Sequence, residues 1–329
     1  MAYFLSCDWG TSSFRLRLVK AESAEIVAVR KSDKGIATTF NQLAENILNN
    51  PEARLLFYLR IIKEAVSEIE KEVNILLDEV PLVISGMASS SIGMAELPYR
   101  SLPFSIDGQD IETALFKASV RFTHPVLLIS GVRSEVDVMR GEETQLIGLA
   151  TESTAARGEG LYIFPGTHSK HIEVKDRQVT YFKTYMTGEF FELLSKQSIL
   201  KAGVEPAGDD LENLGCLESF KEGVLHGRSH NLLHAAFRAR TNALFDKLTR
   251  KENHQYLSGL LIGTELKDIR TSDASHVYVC SDASLRWRYE TALDVLGLKE
   301  KVHVFPDGWA DKAVVRGQLK IYKQFTHTT

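Results

Sequence analysis

A short pattern that occurs twice constrains this chain more than any other feature. Gly10-Thr11 is followed by Ser13, and 156 residues further on Gly166-Thr167 is followed by Ser169. Each copy lies between strand-like runs. Tyr3 to Cys7 leads into the first, and Phe14, Leu16 and Leu18 alternate with Arg15, Arg17 and Lys20 beyond it. Leu161 to Phe164 leads into the second, with Ile172 and Val174 alternating with His171, Glu173 and Lys175. Alternation with period two marks half-buried strands, and the glycine marks a tight reversal. A Gly-Thr tip offers backbone N–H groups and hydroxyls with no Cβ in the way, as a phosphate chain requires. Two such tips at matching places predict a duplicated fold that grips a polyphosphate between two lobes.

The length of 329 residues is too great for one ordinary core and predicts two domains. Charged residues make up 25% of the chain and the formal charge is −4, with no dense Lys/Arg run, which argues against nucleic acid as a partner. Cys7, Cys216 and Cys280 lack metal-ligand spacing and cannot all pair, so reduced thiols in a cytoplasm are expected. Met1 to Cys7 is apolar but too short for a secretion signal, and runs such as Val126 to Ile129 fall far below a membrane span. The expectation is a cytoplasmic protein without membrane or nucleic-acid partners; assembly as a homodimer is left open.

Leu43 to Val73 reads as a long helical stretch, with Leu55, Leu59, Ile62, Val66 and Ile69 spaced by three and four and Pro51 near its start. Pro81 to Ser85 and Val126 to Ser130 read as buried strands, each ending in glycine, and a short helix follows Thr144. Small residues from Ser153 to Gly160 mark the lobe boundary, dividing the chain into 1–157 and 158–329. In the second half, Gln178 to Thr184 is a third hairpin strand, Gly188 to Leu200 is helical, and Leu232 to Leu248 is an amphipathic helix. His276 to Cys280 is a strand followed by a helix to Leu296, which Gly297 stops, and Val302 to Phe305 is a last strand. A closing helix near 309–323 carries Ala310, Ala313, Val314 and Gly317 on one face, suited to close contact with another element. Strands interleaved with helices, twice over, give an α/β architecture.

Two common nucleotide signatures are absent. Gly166 to Lys170 has a lysine but lacks the second glycine of a P-loop, and Gly158-Glu159-Gly160 precedes a strand rather than following one. Asp8, at the end of an apolar strand and before Gly10-Thr11, places a carboxylate beside the phosphates, where it can hold Mg²⁺ through water.

The hairpins DWGTSSFRLRLV (8–19) and FPGTHSKHIEV (164–174), with a strand-turn-helix at Val277 to Leu296, resemble the two phosphate segments and the adenosine segment of the actin/sugar-kinase superfamily. Within it the chain resembles the 2-dehydro-3-deoxygalactonokinase family. SGMASSSIGMAELPY (85–99), DVMRGEETQLIG (137–148), MTGEFFELLSKQSIL (186–200), SGLLIGTEL (258–266) and DGWADKAVVRGQL (307–319) carry that likeness over nearly the whole length. Ser281-Asp282 stands where superfamily adenosine segments usually carry two glycines.

The resemblance implies a two-lobed actin/hexokinase-like (ribonuclease H-like) fold with an interlobe cleft, the last helix packing on the first lobe. It implies ATP-dependent, Mg²⁺-assisted phosphorylation of 2-dehydro-3-deoxy-D-galactonate on its terminal 6-hydroxyl. The ATP phosphates would meet Gly10, Thr11, Ser12 and Ser13, together with Gly166, Thr167, His168, Ser169 and Lys170; Ser281 and Asp282 would lie by the adenosine. Glu142 occupies the place of the superfamily's catalytic carboxylate, with Glu143 second and Asp137 third, and Asp8 serves the metal. Arg140, His168 and Lys170 can meet the substrate carboxylate, since Arg forms bidentate pairs and Lys point contacts. The loop from Gly86 and Met87 to Glu96, together with Thr187 and Gly188, is expected at the sugar acid. Another keto-deoxy or aldonic acid as substrate, and a nucleotide-binding sensor, remain as alternatives. His226, His230 and His234 recur at spacing four but lack a matching carboxylate or thiol, and are read as a helix shoulder.

Overall fold

The apolar side of the first hairpin decides where the first core forms. In the computed structural model, which describes residues 2–151, 159–206, 213–269 and 276–328, β1 (Tyr3–Trp9) and β2 (Phe14–Lys20) pair antiparallel with Asp8 opposite Arg15 and Ser6 opposite Arg17. β3 (Ile26–Ser32) follows, then a turn of helix α1 (Ile36–Phe40) and another, α2 (Glu45–Leu48). Pro51 does not interrupt a long helix but starts one. It is the first residue of α3 (Pro51–Val73), where its missing N–H costs nothing, and the Asn50 side chain caps Ala53 N–H at 3.1 Å. Tyr58, Leu59, Ile62, Val66 and Ile69 of α3 cover one face of the sheet, against Leu5, Cys7, Trp9 and Leu16.

The chain continues through β4 (Leu82–Gly86), β5 (Arg100–Ser101), β6 (Phe104–Ser105), β7 (Thr113–Phe116), β8 (Val126–Ile129), β9 (Val132–Arg133), β10 (Val138–Met139) and α4 (Glu142–Leu149). The main sheet runs β3-β2-β1-β4-β8-β7, with β1, β4 and β8 parallel and Asp8 beside Ser85.

The second hairpin is β11 (Gly160–Phe164) and β12 (Ser169–Lys175), extended by β13 (Gln178–Tyr185). The helix expected from Gly188 to Leu200 is shorter. α5 (Thr187–Glu192) gives way to a π turn and a 3₁₀ turn, where the Ser195 hydroxyl donates back to Phe191 O at 2.6 Å. α6 (Leu214–Ser229), α7 (Leu232–Leu244), α8 (Arg250–Leu266), β14 (Val277–Val279), α9 (Ala283–Val295), β15 (Val302–Val304) and α10 (Trp309–Thr328) complete the fold. Here the sheet order is β15-β14-β11-β12-β13. Ile163, Val277 and Val279 meet Phe220, Ile262, Tyr289 and Leu293 in its core. α6 and α8 approach backbone to backbone: a methyl on Gly259 would lie 2.0 Å from Phe220 O, and one on Gly223 2.2 Å from Tyr256 O. His226, His230 and His234 do not share a helix, because α6 ends before His230; His226 lies 3.2 Å from the Tyr256 hydroxyl.

By internal packing the chain divides into one unit of Met1–Gly158, Lys175–Tyr181 and Ala310–Thr329, and a second of Glu159–Val174 and Phe182–Trp309. The boundary expected between 157 and 158 falls where 152–158 lie outside the described residues. Within the first unit, α10 covers the sheet face opposite α3. Arg17, expected on a solvent-facing position, is fully buried because Asp311 of α10 receives its guanidinium. Gln318 donates to Cys7 O at 2.8 Å and to Ser85 Oγ at 2.9 Å. α4 and α10 are notched together, for a methyl on Gly148 would lie 1.8 Å from Ala313 O and one on Gly317 1.9 Å from Thr144 O. Among the described residues no helix is long and apolar enough to cross a membrane.

Candidate active site

In the first unit the chemistry-bearing residues gather at the carboxyl ends of β1 and β4. The first tip is closed by Gly10 N–H donating to Ser13 O at 2.9 Å. Its outer edge is held by the start of α1, where Ile36 N–H donates to Gly10 O at 2.9 Å and Ala37 N–H to Thr11 O at 3.2 Å. Gly35 makes this possible, since a Cβ there would lie 2.1 Å from Thr11 O. Ser12 is exposed at the apex, with Thr11 and Ser13 half-buried beside it.

Asp8 is partly buried, with Arg15 Nη1 3.8 Å from its carboxylate. Burial holds its carboxyl above the ordinary range; Arg17 and Arg15 oppose that shift, while Asp311 and Glu142 reinforce it. Glu142 is therefore within electrostatic reach of Asp8. The backbone explains why: a methyl on Gly86 would lie 3.5 Å from Asp8 Oδ1, and one on Gly141 3.5 Å from Gly86 Cα. α4 thus begins beside Asp8. Glu142, in its first turn, is half-buried and accepts Arg140 N–H at 3.2 Å.

The adjacent carboxylate has a different environment. Glu143 is fully buried and turns back to accept Gly141 N–H at 2.7 and 2.9 Å and the Thr144 hydroxyl at 3.0 Å. Burial, then the neighbouring Glu142, pushes it up to about 7. Asp137 lies in the turn before β10 and accepts Val138 N–H at 2.7 Å.

Arg140 stacks 4.0 Å over the Tyr99 ring and donates to Ser89 O at 2.7 Å and Ser89 Oγ at 2.6 Å. Its guanidinium fastens the loop that starts at Gly86 and Met87, a second use for a side chain expected to meet a substrate carboxylate. Glu96 stands exposed at the far end of that loop.

In the second unit the tip at Gly166-Thr167 is held by the first turn of α5. Glu189 N–H donates to Thr167 O at 3.1 Å, and a Cβ on Gly188 would lie 2.6 Å from Gly166 O. Thr187 and Gly188 therefore stand beside the tip rather than remote from it. Gly166 itself has open space where a Cβ would be. His168 lies 2.5 Å from Glu189, and Lys170 is buried, donating to His168 O at 3.0 Å. Ser169 is buried beneath the tip.

Next to this tip is a cavity of about 460 Å³, lined among others by Gly166, Thr167, Gly188, His254, Asp282 and Arg288. Its size is that of a small-molecule site. The strand-turn-helix expected for adenosine is β14 to α9. Asp282 caps α9, accepting Leu285 N–H at 3.2 Å, and Ser281 is buried beneath it. His254 lines the cavity as a neutral imidazole, its ionisation pushed down to about 4 by burial and then by Arg288. Among the described residues no group of three or more His, Cys, Asp or Glu side chains is arranged to hold a metal ion. Asp8 alone suits an ion that keeps most of its water, as Mg²⁺ does.

Gly35, His254 and Glu265 are absent from the sequence reading. Gly35 had a signal, standing just before a helix start in Lys34-Gly35-Ile36. Glu265 had only its place in the SGLLIGTEL stretch. It is 2% exposed, yet receives Ser169, His171, Thr187 and Tyr289.

A model of the 2-keto-3-deoxy-galactonokinase family matches residues 8–321. The chain is 29% identical over 301 residues to the 2-dehydro-3-deoxygalactonokinase of Escherichia coli (strain K12), covering 90% of this chain and 91% of that protein. It is 31% identical over 310 residues to a Rhizobium meliloti (strain 1021) protein named "Probable 2-dehydro-3-deoxygalactonokinase DgoK1", covering 90% of each. A crystal structure from Sinorhizobium meliloti, of a protein assigned to the same activity, superposes with a TM-score of 0.77 at 27% identity, covering 98% of this chain and 96% of that one.

Proposed function

The chain belongs to the 2-keto-3-deoxy-galactonokinase family, and from that membership we propose that it transfers the γ-phosphoryl group of ATP to the terminal 6-hydroxyl of 2-dehydro-3-deoxy-D-galactonate. The hydroxyl oxygen forms a bond to the γ-phosphorus as the bond to the ADP oxygen breaks, and the hydroxyl proton passes to a carboxylate. Most of the catalysis in such a transfer is positioning and charge neutralisation.

One observation carries the assignment of roles. Of the two neighbouring glutamates at the start of α4, Glu143 is buried and turned onto Gly141 and Thr144, whereas Glu142 is half-buried beside Asp8. Glu142 is the base. Asp8 would hold Mg²⁺, which would supply neutralising charge at the phosphates when bound. Gly10–Ser13 and Gly166–Ser169 are each proposed as a phosphate-binding tip. The cavity beside Asp282 takes the nucleoside, and the Gly86–Glu96 loop, positioned by Arg140, takes the sugar acid.

The test is an ADP-release assay over a panel of keto-deoxy and aldonic acids, with ³¹P NMR of the product. The expected outcome is highest kcat/KM with 2-dehydro-3-deoxy-D-galactonate and a phosphate on C6. Faster turnover of another acid would redefine the substrate, and ADP release that needs no acceptor would replace the kinase reading with that of an ATPase.

A further inference from the structure

Glu265 is a buried carboxylate on which separate pieces of the nucleotide site converge. Ser169 Oγ donates to it at 2.8 Å and His171 Nε2 at 2.8 Å, both from β12. The Tyr289 hydroxyl donates at 2.8 Å from α9, and the Thr187 hydroxyl donates from the first turn of α5. Ser169 and His171 use one carboxylate oxygen; Thr187 and Tyr289 use the other. A carboxylate is the side chain suited to this place, since both oxygens are acceptors and neither carries a proton to clash with a donor. Buried and fully satisfied, such a network holds a single arrangement.

The donors are not scattered. Ser169 and Thr187 stand on either side of the second tip, whose Thr167 and Gly166 are pressed against Glu189 and Gly188. Tyr289 comes from the helix that begins at Asp282, and both residues line the same cavity as Gly166 and Thr167. We infer that Glu265 is a positioning residue that sets the span between the phosphate end and the nucleoside end of the nucleotide cavity. This rests on the assignment of that cavity to ATP. A span matters only to a ligand that touches both ends at once. Adenosine needs one end and inorganic tripolyphosphate the other, so neither depends on the distance between them.

The experiment is calorimetric titration of the full chain with Mg-ADP, adenosine and tripolyphosphate, for wild type, Glu265→Gln and Tyr289→Phe. Glu265→Gln is expected to weaken Mg-ADP tenfold or more and each half-ligand less than threefold, with the KM for the sugar acid within twofold of wild type. Tyr289→Phe removes one donor, keeps the ring in the core, and should weaken Mg-ADP about threefold in the same pattern. It decides the matter alone if Glu265→Gln does not fold. Equal losses for all three ligands, or unchanged Mg-ADP binding with lowered thermal stability, would reduce Glu265 to a packing role and overturn the inference. Failure of wild type to bind Mg-ADP would instead remove the nucleotide from this cavity, overturning the functional assignment itself.

Discussion

The two hairpin tips share a backbone design and differ in what lies beneath it. Each is clamped by a glycine of the following helical segment, Gly35 against Thr11 and Gly188 against Gly166, with spacings a Cβ would violate. Beneath the first are charges: Asp8 near Arg15, and Asp311 shared among Arg17, Arg15 and Lys31. Beneath the second are hydroxyls and an imidazole gathered on Glu265. A tip needs only N–H groups and room, so both copies keep that. The side chains below are free to diverge, and under the proposed function the first set would serve proton and metal chemistry while the second would anchor the ligand-binding elements.

The largest expected effect tests whether the reacting groups belong to the first unit. Glu142→Gln should lower kcat by about 10²–10⁴ with the KM for the sugar acid nearly unchanged, because it removes the base and little binding. A fully active Glu142→Gln enzyme, by steady-state kinetics, would move the base elsewhere, with Asp137 next. Asp8→Asn should cost about a hundredfold in kcat and raise the Mg²⁺ concentration for half-maximal rate; an unaltered Mg²⁺ titration would take Asp8 out of the metal site.

Smaller effects test the likeness of the tips. Gly35→Ala and Gly188→Ala should each raise the KM for ATP about tenfold and lower stability by about 1–3 kcal/mol, since backbone must move to admit the methyl. If only one raises KM, only one tip holds phosphate.

The smallest effect concerns Glu143. Its folded-state ionisation lies near 7, above the ordinary 4.5, so the folded protein binds the proton more tightly. That stabilisation is present below about 4.5 and is lost as pH rises through about 7. Glu143→Gln, always neutral, should melt close to wild type at pH 5 and about 3–5 °C higher at pH 8. A constant difference across that range would show that Glu143 does not titrate there.

The hairpins are legible in the sequence because Phe14, Leu16 and Leu18, and later Ile172 and Val174, alternate around a glycine turn, and a strand needs no distant partner to declare itself. The α/β class and the strand-turn-helix at Asp282 are legible for the same local reasons. α6 and α8 are not, because they meet through Gly223, Gly227, Gly259 and Gly263. α8 is buried almost throughout from Tyr256 to Leu266, so it has no polar face to set its period. Glu265 is hidden there, 96 residues from Ser169, and nothing in sequence spacing brings the two together. Arg17 misleads in the opposite way, reading as a solvent-facing arginine until Asp311, 294 residues later, covers it.

The reach of α10 back to β1 has a consequence for how the protein is made. Gln318 bonds Cys7 and Ser85, and Asp311 closes over Arg17, so the last helix belongs to the first unit. A ribosome releases that unit's sheet early and its final helix late, with nearly all of Glu159–Trp309 in between. Until α10 emerges, Arg17 and the sheet face it shares with Ser85 lack their cover. The unit begun first is therefore completed only after the other, and the helix bearing Glu142 gains its backing from α10 once Glu159–Trp309 has been made.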